Sequence, residues 1–107
     1  MENLVRNLAN MNGRVYVYLD SEEVGNSFLQ QAESEGFKYK DGSTPTSRPY
    51  ERVMAVNSDG TINYIGTNGM IAFYANAGRI GLKKLIRVDY QKYAAGEKNF
   101  KYRKRPE

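Results

Sequence analysis

Between residues 52 and 75 short apolar runs alternate with glycine-bearing turn pairs. Asp59-Gly60 separates the first two runs, and Asn68-Gly69 separates the second two. Asp-Gly and Asn-Gly favour the type I′ turn, whose twist matches that of paired strands. The pattern predicts a three-stranded antiparallel meander on which the rest of the chain packs. In the second run Ile62 and Tyr64 share a face; in the third, Met70, Ala72 and Tyr74 oppose Ile71, Phe73 and Ala75. Both faces of the meander therefore carry apolar groups and need cover.

The flanking patterns supply that cover. Leu4, Val5, Leu8 and Met11 fall on one face of an N-terminal helix. Residues 14–19 alternate, with Val15, Val17 and Leu19 inward, and read as a strand. Residues 20–35 read as the principal helix. Asp20 is placed to cap it with Glu23 three residues later, and Val24, Phe28 and Ala32 form its apolar stripe. Gly36 suits the left-handed residue after a helix, with Phe37 folding back onto Ala32. Residues 38–50 hold two prolines, a glycine and several hydroxyls, and read as an irregular connection. Residues 76–84 form a basic loop, residues 85–90 a last strand, and 93–96 a helical turn ended by glycine. The fold class is α+β: an antiparallel β-sheet of about four to five strands, the meander central, with one main helix packed on one face.

Composition narrows the chemistry. The chain has 107 residues, the size of a single domain, with a basic tail at 97–107 that reads as flexible. Cysteine and histidine are both absent. That removes disulfides, the usual zinc sites and every Ser-His or Cys-His nucleophile pair. No cofactor or metal site is expected, and no enzyme. Asp20, Asp41, Asp59 and Asp89 sit where caps, turns and a strand face account for them. No apolar run approaches the roughly 18 residues of a membrane span, and the N-terminus does not read as a signal peptide. A cytoplasmic protein that does not engage a membrane is expected.

Charge is divided unevenly. Residues 1–78 carry six basic and nine acidic side chains, a net −3; residues 79–107 carry ten basic and three acidic, a net +7. Such asymmetry suits a polyanionic partner. Two clusters supply it: Arg79, Lys83, Lys84 and Arg87, and a tail in which Phe100 and Tyr102 interleave with Lys98, Lys101, Arg103, Lys104 and Arg105. Aromatics stack on bases while lysine and arginine neutralise phosphates, a mixture suited to single strands or RNA. The plainer reading of both clusters is a solvated loop and a solvated terminus. Within 38–50, Ser43, Thr44, Thr46, Ser47 and Arg48 are candidate donors for an anion, although the spacing is not that of a P-loop.

Four segments together suggest kinship: Phe28-Leu29-Gln30-Gln31-Ala32-Glu33 with Glu35-Gly36-Phe37; Asp41-Gly42 with Pro45-Thr46 and Arg48; Thr61-Ile62-Asn63-Tyr64 with Gly66; and Val88-Asp89-Tyr90 with Lys92-Tyr93. Over residues 13–100 the chain resembles small proteins of phages and mobile elements of Gram-positive bacteria. The resemblance implies no catalytic residues. It implies a context that includes inhibitors of host defence, anti-CRISPR proteins among them. The expectation is a non-enzymatic inhibitor of a bacterial nucleoprotein complex, acting in the host cytoplasm through the basic C-terminal surface. The alternatives are an RNA- or DNA-binding protein and a module for a small ligand such as a nucleotide.

Overall fold

The computed structural model describes residues 3–103. Along the chain run α1 (Val5–Ala9), β1 (Arg14–Tyr18), α2 (Glu22–Ser34), β2 (Lys38–Tyr39), a 3-10 turn (Pro45–Ser47), β3 (Val53–Val56), β4 (Thr61–Tyr64), α3 (Gly66–Tyr74), β5 (Arg79–Ile80), β6 (Lys83–Asp89) and α4 (Tyr90–Ala94). The α+β class holds, but the sheet is mixed. It has six strands in the order β2-β4-β3-β1-β6-β5. β1 lies near its centre, antiparallel to β3 and parallel to β6, with Val17 opposite both Met54 and Val88. β2 is also parallel, to β4.

The expected meander is corrected in its last third. β3 and β4 form the predicted hairpin, with Met54 opposite Tyr64 and Val56 opposite Ile62. Its turn differs from type I′. Gly60 alone takes a positive φ, +87°, while Asp59 does not. Asn57 N–H donates to Thr61 C=O and Gly60 N–H to Asn57 C=O, the pattern of a type I turn closed by a left-handed glycine. The third run is helix α3. A short apolar run satisfies a two-residue and a 3.6-residue period equally. Packing decides: Gly69 and Phe73 are buried on one helical face, with Met70 beside them, while Ile71 and Tyr74 point outward.

Two buried clusters sit on the two faces of the sheet. On one, Val15, Val17, Met54, Val56, Ile62 and Val88 pack against α1, α2 and α4 through Val5, Leu8, Phe28, Ala32 and Tyr90. On the other, Tyr16, Val53, Ala55 and Leu85 pack beneath Phe73 of α3 and Tyr102 of the C-terminal segment. The single main helix on one face is thus three helices on one face and a fourth helix with the tail on the other.

Local chemistry fixes the helices. Ser21, not Asp20, caps α2: its Oγ accepts from Val24 N–H at 3.2 Å. The other end closes as foreseen. Gly36 stands at φ +87°; Phe37 N–H donates to Ala32 C=O and Gly36 N–H to Glu33 C=O, the paired bonds of a Schellman close. α1 has no capping side chain of its own. Glu35 supplies one from the end of α2, its two carboxylate oxygens accepting from Val5 N–H and Arg6 N–H at 2.7 Å each. Residues 100–102 extend the sheet edge: Asp89 N–H donates to Phe100 C=O, Tyr102 N–H to Arg87 C=O, and Val88 bridges Lys101. The basic tail is therefore docked as far as Tyr102. Lys104 and Arg105 lie outside the described residues. Among the described residues no helix is long and apolar enough to cross a membrane.

Candidate functional site

The β5–β6 edge gathers the two basic clusters that the sequence keeps apart. β5 and β6 form a tight hairpin, Arg79 opposite Lys84 and Ile80 opposite Lys83. Beyond it, the tail strand lies on the same outer side of β6. Between the two, a groove of about 450 Å³ runs over Leu85, Ile86, Arg87 and Val88. Its walls are Asn76, Ala77 and Gly78 on one side and Lys98, Asn99, Phe100 and Lys101 on the other, with Lys84 at one end. A second depression, about 440 Å³, adjoins it and is lined by Tyr74, Asn76, Arg87, Lys101, Tyr102 and Arg103. A third, about 490 Å³, surrounds the hairpin with Arg79, Leu82, Lys83, Lys84, Asn12 and Ser58.

Among the described residues seven cations line these three depressions, and no carboxylate does. Arg79, Lys83, Lys84, Lys98, Lys101 and Arg103 are exposed. The ion pair of Arg48 with Asp41 is remote from this edge in the sheet order. Like charges in water repel only weakly at such spacings, so the fold tolerates the cluster. The same cations focus a positive potential over the grooves.

Not every residue singled out from the sequence stands free in the site. Arg87 is half-buried. Its guanidinium lies 5.5 Å from the Phe73 ring centre and 5.1 Å from that of Tyr102, and Nη1 donates to Phe73 C=O at 2.9 Å. It ties α3 to the tail. Phe100 packs edge-on against Tyr93 with ring centres 5.0 Å apart. Tyr102 is only 8% exposed and lies 4.6 Å from both Tyr18 and Phe73. The two aromatics expected to stack on bases are thus part of the protein's packing.

Donors of the 43–48 loop are engaged by the protein's own groups at its surface. Ser43 N–H and Oγ donate to Asp41 Oδ1 at 3.0 and 2.7 Å, and Arg48 pairs with the same carboxylate. Thr46 N–H and Oγ1 donate to Glu33 Oε1 at 3.1 and 2.7 Å. Ser47 Oγ donates to Thr44 C=O at 2.6 Å. Hydrogen bonds from Thr46 hold the Glu33 carboxyl below its usual range, and those from Ser43, then the Arg48 charge, do the same for Asp41. The Ser43, Thr46 and Arg48 donors serve the protein's own acids, and a bound anion would have to displace those.

Among the lining residues that the sequence reading did not select are Tyr74, Asn76, Leu82 and Asn99. Tyr74 is 41% exposed and Leu82 95%. Tyr74 was hidden by the strand reading of its run. On a helical period it falls three residues after Ile71, on the outward face, and its exposure becomes legible. Burial, and then the neighbouring Tyr18 and Tyr102, pushes its phenol above the ordinary value, so it stays neutral. No family model, curated protein or solved structure matches this chain.

Proposed function

We propose that the protein is a non-enzymatic binder of nucleic acid, free or held in a nucleoprotein, and that the β5–β6 edge with the tail is the contact. The observation that carries this is the convergence of Arg79, Lys83, Lys84, Arg87, Lys98, Lys101 and Arg103 on three adjoining grooves with no lining carboxylate among the described residues. Phosphates contacted by such groups release condensed counterions, which makes affinity depend on salt. The amides of Asn76 and Asn99 add neutral donors and acceptors to the same walls. The absence of catalysis is proposed on the lack of His and Cys in the sequence and on the structural duties of the acids. Asp41 and Asp59 brace turns through Ser43 and Thr61, Asp89 caps α4, and Glu35 caps α1.

The test is binding of labelled RNA and DNA as salt is raised from about 50 to about 200 mM. Affinity falls steeply over that range, and the pair Lys84→Glu with Lys101→Glu lowers it at least about tenfold while thermal stability is kept. Binding that ignores both salt and charge reversal would overturn the proposal.

A narrower reading is an inhibitor from a phage or mobile element that acts on a bacterial defence nucleoprotein in the host cytoplasm. The resemblance to phage-borne proteins favours it. So does the presence of both charge signs on one small protein, since α2 exposes Glu22, Glu23 and Glu33. It predicts tight binding to an assembled complex and weak binding to the naked nucleic acid, which a nuclease-treated pull-down separates.

A further inference from the structure

We infer that the nucleic acid engaged by this edge is single-stranded, and that Tyr74 is the platform on which one of its bases stacks. The inference rests on the binding proposal above and specifies its substrate. Each other aromatic near the edge is engaged inside the protein. Phe73 is fully buried, Tyr102 is nearly so, and Phe100 packs on Tyr93. Tyr74 differs: it sits on the outward side of α3 with 41% of its surface exposed.

Its position is also fixed. The Phe73 ring lies 5.3 Å away at an interplanar angle of 85°, and the Tyr102 ring 6.4 Å away at 77°. Two near-perpendicular neighbours restrict the side chain before a ligand arrives, which lowers the entropy lost on binding. The depression beside it holds Asn76, Arg87, Lys101 and Arg103 and, among the described residues, no acid. A planar base on the ring would place its flanking phosphates within the range of Lys101 and Arg103. The Asn76 amide offers one donor and one acceptor direction for a base edge. Ile71, one turn earlier on the same face and 63% exposed, extends the apolar surface.

Strandedness follows from where a π-face is accessible. In a duplex the base faces are covered by their neighbours, so an aromatic on a convex helix surface finds only phosphates and groove edges. An unpaired strand can turn a base onto the ring, and such stacking is tolerant of sequence.

The test compares three labelled probes by fluorescence anisotropy: an unstructured oligonucleotide of about ten nucleotides, its duplex, and heparin as a polyanion without bases. Wild-type protein binds the single strand more tightly than the duplex. Tyr74→Ala weakens single-strand binding roughly tenfold or more, leaves heparin binding and the salt slope unchanged, and Tyr74→Phe restores affinity. Thermal melts of each variant confirm folding, and quenching of tyrosine fluorescence by the single strand is read on the wild-type protein. If Tyr74→Ala binds the single strand as wild type does, or the duplex binds at least as tightly, the inference fails while the binding proposal stands. If no probe binds in a salt-dependent way, the binding proposal fails and the inference goes with it.

Discussion

Single side chains close this fold at places where helix ends meet. Glu35 finishes α2 and, with Gln31 Nε2 donating to it at 2.6 Å, offers both oxygens to the first amides of α1. A carboxylate at a helix N-terminus satisfies orphan donors and complements the dipole. Glu35→Ala is expected to cost about 1–2 kcal/mol in chemical denaturation and to expose the α1 amides to hydrogen exchange. Gly25 makes the opposite point about helix propensity. Alanine at a helical glycine ordinarily gains about 1 kcal/mol. Here the Tyr50 ring packs against α2 at this glycine, and an added Cβ at Gly25 would meet its Cγ at 2.3 Å. Gly25→Ala is therefore expected to destabilise by about 1–2 kcal/mol net, because the ring must leave its seat.

At the scale of elements, α3 and the tail hold one another against the second face of the sheet. Phe73, Tyr102 and Tyr18 form a cluster, and Arg87 reaches over it to the end of α3. Neither segment has another large buried anchor on that face among the described residues. Tyr102→Ala is expected to lower stability by roughly 3 kcal/mol. It should also raise hydrogen exchange at Ala75 and Ala77, whose amides close α3, while leaving Phe28 and its neighbours in α2 protected. Equal loss of protection in α2 and α3 would mean that the two faces unfold as one unit. The element also bears on function, since Tyr74 and Asn76 are placed by the same cluster.

For the whole molecule, two sets of titrations frame stability. Glu33, Asp41 and Asp59 have folded values below the ordinary carboxylate range, chiefly through hydrogen bonds from Thr46, Ser43 and Thr61. A lowered folded value favours the ionised form, so their contribution is present near neutrality and fades as pH falls through those values. Tyr90 moves the other way: burial first, then Glu35 and Tyr93, pushes its phenol from 10.0 to about 12. A raised value on an acid favours the neutral form in the fold. Its contribution is complete below pH 10 and is lost as pH rises towards 12. Denaturant midpoints measured across this range should fall at both ends, and Tyr90→Phe should shrink the alkaline limb, to which Tyr74 and Tyr93 also contribute, and leave the acid limb unchanged. At the basic edge Tyr74, also raised, adds only to the alkaline limb, so near neutrality the edge's affinity should track salt far more than mild changes of pH.

The order of hydrophobic and polar residues determined β1, α2 with its Gly36 close, the β3–β4 hairpin and the final strand, because each is a local pattern with its own stop signal. It also determined that positive charge is concentrated after residue 78. It did not determine the state of residues 66–74, where both periods fit and only burial of Phe73 against the sheet selects the helix. Parallel pairing of β1 with β6 was equally hidden, since strand direction depends on contacts far apart in sequence. The site was legible in its charges and not in its aromatics. Whether Tyr102 or Tyr74 meets solvent depends on which ring the second sheet face can bury, and that is a property of the assembled fold.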